Sequence, residues 1–447
     1  MGKRAPSLKC LKMNLLFSND KQGQLPNSWY AATVNQHKRY KTLQTRIRTD
    51  VCIIGGGFTG LSAALHLATA GVKVVLLDAH RPGWGASGRN GGQVANGQRV
   101  EQGRLEKEYG ELAARSLWQI GQDAKELVGS LVSKYSINCD FKPGIVHACF
   151  SEAEVKEELK NTANLQKNYG HSDIHSLDKT QIQNIIGSKS YIGGSIDWRS
   201  AHLHPLNFAL GLADSASELG VEIFENSLVD KIAYGNKNII HTKHGQVEAN
   251  YTIIACNGYL GNLNKEISKK VMPINNFIAA TEVLNDSLKK SILMKDIAVA
   301  DSKFVVNYFR LSRDNRLLFG GGESYGYKFP KNLEATVRKP MLRIFPQLKN
   351  VKFDYTWGGT LAITMGRMPY LSRLNNSTYS ASGYSGSGVA MATMAGKILC
   401  EDILGENGRF KTMSSIITPN FPGRGALRSP LLALAMTWYK MRDELGF

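Results

Sequence analysis

A chain of 447 residues with 43% hydrophobic and 9% aromatic content is long enough for two or three folding units with large buried cores. No apolar stretch approaches the length of a membrane-spanning helix, the longest near the end being Leu431–Trp438. The net charge of +18 admits a nucleic-acid partner, a membrane surface or an attraction for anionic substrates; its spread along the chain favours a solvated basic surface, the densest stretch being Lys38–Lys41 with Arg46 and Arg48.

Met1–Phe17 carries basic residues and an apolar Met13–Phe17 patch without a sustained apolar core or a small-residue cleavage site, and is expected to be a floppy extension, with Met13 as an alternative start. The cysteines Cys10, Cys52, Cys139, Cys149, Cys256 and Cys400 show no Cys-x-x-Cys pair, and Cys52 and Cys256 fall in apolar strand patterns, so a reducing, cytoplasmic setting and no metal site are expected. The apolar run Asp50–Ile54 then ends in Gly55-x-Gly57-x-x-Gly60 and passes into Leu61–Ala68, which predicts a buried strand, a tight turn and a helix. Gly55 lets the chain turn, Gly57 clears space for a pyrophosphate, and Gly60 lets helix and strand pack closely, leaving helix N–H groups aimed at phosphates. A second strand, Lys73–Asp78, ends in an acid 18 residues beyond Gly60, near the spacing at which a carboxylate accepts ribose hydroxyls.

The glycine-rich segment Gly83–Gln93 is too irregular for a helix or strand and suits close approach of a flat ligand. Glu111–Tyr135 reads as a long amphipathic helix, Gly144–Phe150 as a strand, and Ser151–Glu154 as a capping box opening a further helix. Pro205 suits the first turn of a helix that stops at Gly220. Val221–Phe224, Leu228–Tyr234, Asn238–Lys243 and Gln246–Ala249 are expected to form a β-meander, followed by a buried strand Tyr251–Cys256. A strand-rich insert from about Pro273 to Gly322 contains Asn276–Thr281, Lys303–Phe309 and Arg316–Phe319 and predicts a mostly antiparallel sheet with one face on a ligand. Ser377–Val389 is again strand, glycine loop and the start of a helix, Ala390–Ile403, giving a second helix N-terminus that can face an electron-rich ligand edge. Because the later glycine loop lies at the far end of the chain, a flavin wrapped by distant segments suits the pattern better than a nicotinamide.

On the Gly55–Gly60 loop, Gly85–Gly92 and Gly383–Val389, the chain resembles the D-amino-acid oxidase superfamily of FAD-dependent amine oxidoreductases, and within it the gamma-glutamylputrescine oxidases. The likeness extends from Asn27 through Ser28–Ala32, His202–Leu206, Ala280–Glu282, Leu317–Glu323, Trp357–Gly359 and Thr364–Pro369 to the tail motifs Phe421–Gly423, Trp438-Tyr439 and Arg442-Asp443. It implies an α/β fold: a Rossmann-like FAD-binding domain discontinuous over 46–105, 195–265 and 350–405, with an inserted α+β substrate domain over 106–194 and 266–349, an N-terminal extension 1–45 and a tail 406–447. It also implies non-covalent FAD held by Gly55, Gly57, Phe58, Thr59, Gly60, Asp78, Ala86, Ser87, Gly88, Asn90, Gly91, Gly92, Gln93, Val229, Gly258, Gly386, Ser387, Gly388 and Val389. Two positions depart from it: Asp78 where related flavoproteins often carry Glu, and Ser387 where the gamma-glutamylputrescine group is expected to carry His.

The chemistry implied is hydride transfer from the carbon bearing a neutral amine to flavin N5, hydrolysis of the imine to an aldehyde and ammonia, and delivery of electrons to oxygen, giving peroxide, or to another acceptor. Four side chains are candidates for shaping it. His204 is either near the flavin or merely a helix cap, with His202 facing the opposite side; Arg89 either touches the flavin or anchors its own loop; Arg367 either binds a substrate carboxylate or makes a structural ion pair; Tyr384 is a candidate substrate wall, whereas Trp357 suits the core. The leading expectation is oxidation of a primary amine on a gamma-glutamylated polyamine. The alternatives are oxidation of a small amino acid such as glycine, sarcosine or a D-amino acid, and a noncatalytic flavin-binding role in assembly or RNA contact.

Overall fold

The computed structural model describes residues 14–422; the expected tail motifs from Gly423 onward lie outside them. Strand Arg46–Ile54 shows why its second half is apolar throughout. Val51 and Ile53 enter a core shared with the helices, while Cys52 and Ile54 enter a second core on the other face with Ile232, Ile240 and Val247. A strand buried on both faces has no solvent side to keep polar.

That strand is central in an eight-stranded sheet ordered Tyr370–Asn375, Thr378–Ser382, Gln246–Ile254, Arg46–Ile54, Val74–Leu77 and Glu222–Phe224. The pairings from Thr378–Ser382 across to Glu222–Phe224 are all parallel, as expected of a dinucleotide fold. Only three of the four expected meander strands are one: Val229–Ala233 and Asn238–Thr242 pair antiparallel onto Gln246–Ala249, whereas Glu222–Phe224 adds in parallel to the opposite edge. Gln246–Ile254 is a single strand, joining what the sequence divides at Tyr251.

The second sheet has nine strands, running Phe353–Ile363, Met272–Thr281, Leu317–Ser324, Tyr308–Leu311, Ala298–Asp301, Lys142–Cys149, Gly193–His202 and Gln93–Val94, with Ile174–Leu177 beside Gly193–His202. Its pairings are antiparallel except for Ala298–Asp301 on Lys142–Cys149. Gly193–His202 and Phe353–Ile363 pair here rather than in the first sheet, so the expected segments 195–265 and 350–405 are each divided between the two sheets. Residues 303–307, expected as strand, are irregular, and the strand starts at Tyr308.

Of Met1–Phe17, expected to be floppy, only residues 14–17 are described, and they are held: the Leu16 carbonyl lies 2.8 Å from His80 Nε2 and the Phe17 ring 5.3 Å from that imidazole. The segment after them is tied down as well. Asp20 pairs with Arg89 at 2.8 Å, Asn19 donates to the Tyr327 carbonyl and accepts from the Phe329 N–H, and the Gly23 N–H donates to His80 Nδ1 at 3.0 Å. No helix among the described residues is long and apolar enough to cross a membrane.

Helices Phe58–Thr69 and Gly388–Ile403 pack side by side on the first sheet, with the amphipathic helix Glu111–Lys134 in the same core. Their approach requires glycine at 396, where a Cβ would lie 2.3 Å from the Thr59 carbonyl oxygen. Ser62 Oγ donates to the Thr393 carbonyl at 2.6 Å beside it. Gly396→Val is therefore expected to cost about 1–3 kcal/mol by overpacking and to lower the thermal unfolding midpoint. A midpoint equal to that of the unsubstituted protein would show that the two helices can separate freely.

Candidate functional site

The turn after strand Arg46–Ile54 and the loop before helix Gly388–Ile403 open onto one elongated cavity of about 390 Å³ between the sheets. Both helices begin there without a side-chain cap of their own, at Gly57 and at Ser387. Such helix ends carry partial positive charge and unsatisfied N–H groups, a natural seat for an anionic diphosphate or an electron-rich ring edge. From the intervening loop Ser87 accepts the Phe58 N–H at 2.9 Å. A Cβ at Gly57 would come within 2.9 Å of that same hydroxyl. The backbone there is open to a ligand only because both residues are small.

At one end Asp78, closing strand Val74–Leu77, accepts the Gly56 N–H and the His80 N–H, each at 2.7 Å. Each carboxylate oxygen keeps capacity for a further donor such as a ribose hydroxyl. Burial pushes this carboxyl up to about 6 despite those backbone donors. Val229, Ser227 and Leu16 line the same end. The residues present thus fit a bound dinucleotide.

The other end lies against the second sheet and is polar. Arg99, His147, Asp301, Glu323 and Arg367 bring charge to it, and Gln93, Asn276, Tyr308, Phe304 and Val306 complete the wall. His147 is 43% exposed to this space while its Nδ1 stands 3.2 Å from Glu158. Burial lowers its basicity, but hydrogen bonding to Cys149 and to Glu158, with the charge of Glu158, outweighs this and pushes the imidazole up to about 10. Asp301 is pushed up to about 7 by burial, against the hydrogen bonds from Asn307. Tyr308 donates to Asn276 Oδ1 at 2.5 Å, and its ring leaves no room for a Cβ at Gly91 or Gly320.

Of the predicted residues, Gly55, Gly57, Phe58, Thr59, Asp78, Ala86, Ser87, Asn90, Gly91, Gln93, Val229, Gly386, Ser387, Gly388 and Val389 line the cavity, as do Tyr384 and Arg367. Gly60, Gly88, Gly92 and Gly258 do not: each stands behind the lining with its α-carbon against another backbone, Gly60 so closely that a Cβ would be 1.9 Å from the Gly55 carbonyl. Tyr384 shares a 2.5 Å hydrogen bond with Thr59 Oγ1, tying the last glycine loop to the first. Arg367 lies over the Phe304 ring at 5.2 Å.

His204 and Arg89 are placed elsewhere. His204 is buried among Trp29 and Tyr30 and caps helix Pro205–Glu218, its Nδ1 accepting the Asn207 N–H at 3.1 Å. With Nδ1 an acceptor, Nε2 carries the proton and faces Thr33 Oγ1 at 3.2 Å. Burial, aided by the charge of Arg310, holds the ring neutral, down to about 3. Arg89 is buried under its own loop, donating to the Trp84 and Gly358 carbonyls and to Asp20, with its guanidinium 4.4 Å from the Trp84 ring centre. His202 also lies off the cavity, its Nε2 near the Asp296 carbonyl. Trp357 is core, its indole donating to the Arg89 carbonyl at 3.0 Å.

Comparison with known proteins gives one consistent picture. The family model described as "FAD dependent oxidoreductase" (DAO) matches residues 50–402. The gamma-glutamylputrescine oxidoreductase of Escherichia coli (strain K12) is 38% identical over 421 residues, covering 94% of this chain and 99% of that one. A protein of Haemophilus influenzae named "Probable oxidoreductase OrdL" is 38% identical over 424 residues, covering 93% and 97%. Among solved structures, glycine oxidase from Geobacillus kaustophilus superposes with a TM-score of 0.69 at 17% identity over 80% of this chain and 95% of that one, a likeness of fold.

The Asp78 carboxyl yields a prediction with a definite sign. If Asp78 accepts ribose hydroxyls it binds best when ionised, so FAD affinity is expected to be full well above pH 6 and to weaken as pH falls through about 6. Asp78→Asn should weaken binding and flatten this dependence. Fluorescence titration of apoprotein with FAD between pH 5 and 8 checks it (roughly the range over which a group of that pKa changes charge); a flat profile in the unsubstituted protein would remove Asp78 from the ribose.

Proposed function

Because this chain belongs to the DAO family of FAD-dependent oxidoreductases, we propose that it oxidises the primary amine of a gamma-glutamylated polyamine such as gamma-glutamylputrescine, yielding an aldehyde, ammonia and, with oxygen as acceptor, hydrogen peroxide. The observation that carries this reading is the second-sheet end of the cavity, where arginines and carboxylic acids stand together. A substrate with a carboxylate and an amino group at one end and a reactive amine at the other needs both kinds of partner. The near-full-length likeness to a protein named for gamma-glutamylputrescine supports the same substrate.

Bound FAD supplies a two-electron acceptor for the C–N bond. The chain's own residues supply the rest. Gly55, Gly57 and the first turn of helix Phe58–Thr69 hold the diphosphate, and Asp78 the ribose. The N-terminus of helix Gly388–Ile403, presented by Gly386–Val389, favours negative charge on the ring system. Arg89 acts indirectly by fixing the Ala86–Gln93 loop. Tyr384, with its hydroxyl committed to Thr59, presents a wall.

The reacting amine must be neutral, and the cations on this wall serve that need. Arg367 and a protonated His147 disfavour a further positive charge beside them. Asn276, Gln93 and the Asp301 carboxyl offer acceptors to an uncharged amine. The apolar Phe304 and Val306 suit a methylene chain.

Anaerobic mixing of the holoenzyme with gamma-glutamylputrescine, putrescine, glycine, sarcosine and D-alanine tests the proposal. Gamma-glutamylputrescine should reduce the flavin with the highest specificity constant, about tenfold or more above putrescine, since removing the glutamyl group forfeits remote binding that positions the reacting carbon. In air, peroxide and aldehyde should appear in equal amounts. A higher specificity constant for glycine, sarcosine or D-alanine would transfer the assignment to small amino acids.

A further inference from the structure

Arg99 sits in the segment between strand Gln93–Val94 and helix Gln102–Tyr109, outside every glycine motif, and its side chain is open to the cavity. Among the described residues it donates no hydrogen bond and forms no ion pair, although most other arginines that line or flank the site are committed: Arg89 to Asp20 and Arg310 to the Leu203 and Gly91 carbonyls. Its Nε lies 3.8 Å from where a Cβ on Gly386 would stand, so the guanidinium reaches the last glycine loop. The charges acting on it are a second cation, Arg367, and the carboxylates of Glu323 and Glu101.

An exposed guanidinium on a cavity wall, with a second guanidinium acting on it, favours an anionic group in the space it faces. The planar fork matches a carboxylate better than a lone oxygen or an amine. We propose that Arg99 receives the carboxylate at the non-reacting end of the substrate and so sets the preference for carboxylate-bearing amines over plain diamines. This rests on the substrate reading above, in which the glutamyl group supplies that carboxylate. Arg99 is a specificity determinant here, acting on the end of the molecule remote from the oxidised carbon.

The test compares each amine with its methyl ester, in which the same atoms are present but the negative charge is gone. The flavin-reduction specificity constant is measured on holoenzyme for gamma-glutamylputrescine and its α-methyl ester, with the FAD content and flavin absorption spectrum recorded for every variant. The unsubstituted enzyme should prefer the acid by about 10- to 100-fold, the range expected of charge-assisted hydrogen bonds. Arg99→Met should bring the acid-to-ester ratio near one, with the loss carried mainly by KM, and Arg99→Lys should restore part of it. Unchanged preference in Arg99→Met would place the anchor on another residue. Equal slowing of acid and ester with a shifted flavin spectrum would assign Arg99 to the cofactor instead. Should gamma-glutamylputrescine fail as a substrate while glycine or a D-amino acid succeeds, the substrate reading falls by itself. The acid-to-ester comparison, repeated on that amino acid, still decides the part played by Arg99.

Discussion

Two helices starting without side-chain caps at the mouth of one cavity are the constraint on which the rest of the structure depends. An uncapped helix end turned into a protein interior leaves N–H donors that must find a partner. Here both ends face the same space, so one extended anionic ligand can satisfy both. Their separation is set by close contact at Gly396, and the loops before them are joined by the hydrogen bond between Thr59 and Tyr384. Displacing either helix would move two binding surfaces at once.

Around this pair the chain builds a frame from segments that the motif does not contain. Arg89 clamps the Ala86–Gln93 loop to strand Phe353–Ile363 through Gly358 and to the N-terminal segment through Asp20. His80 stacks on Trp84 at 3.7 Å and receives the Gly23 N–H, so residues from Leu16 to Gly23 run over the Asp78 end and Leu16 joins its wall. Tyr308, lodged between Gly91 and Gly320, brings the second sheet against the same loop. The two sheets thus share one boundary, and the cavity runs along it.

The dinucleotide half was legible because its signals are local. A strand buried on both faces, glycines at a turn and an acid at the next strand end are each dictated by a few neighbouring residues, and the parallel order follows from them. The cavity wall formed by the second sheet was not. His147 and Ala300 are register partners although far apart in sequence, and Arg99, Asn276 and Glu323 reach the wall from three further segments, so no spacing announces them. The proline after His204 suits a site residue at a helix start, but it has a wholly local meaning: proline in the first helical turn with the imidazole as cap. Glu222–Phe224 lies next to the meander in sequence, while its pairing is decided by the crossover that returns it to Val74–Leu77. The charged wall and the fifteen expected positions that line the cavity differ in the same way, one resting on scattered side chains and the other on local turns and strand ends.

The central claim is that the Gly55–Gly60 turn and the helix after it hold the flavin cofactor, and the flavin content of Gly57→Val tests it most directly. Valine would fill the gap beside Ser87 through which a diphosphate approaches the backbone. The account predicts that the unsubstituted protein releases close to one FAD per chain on denaturation, while Gly57→Val is purified colourless with its far-ultraviolet circular dichroism retained. A folded Gly57→Val protein with full FAD occupancy would contradict it.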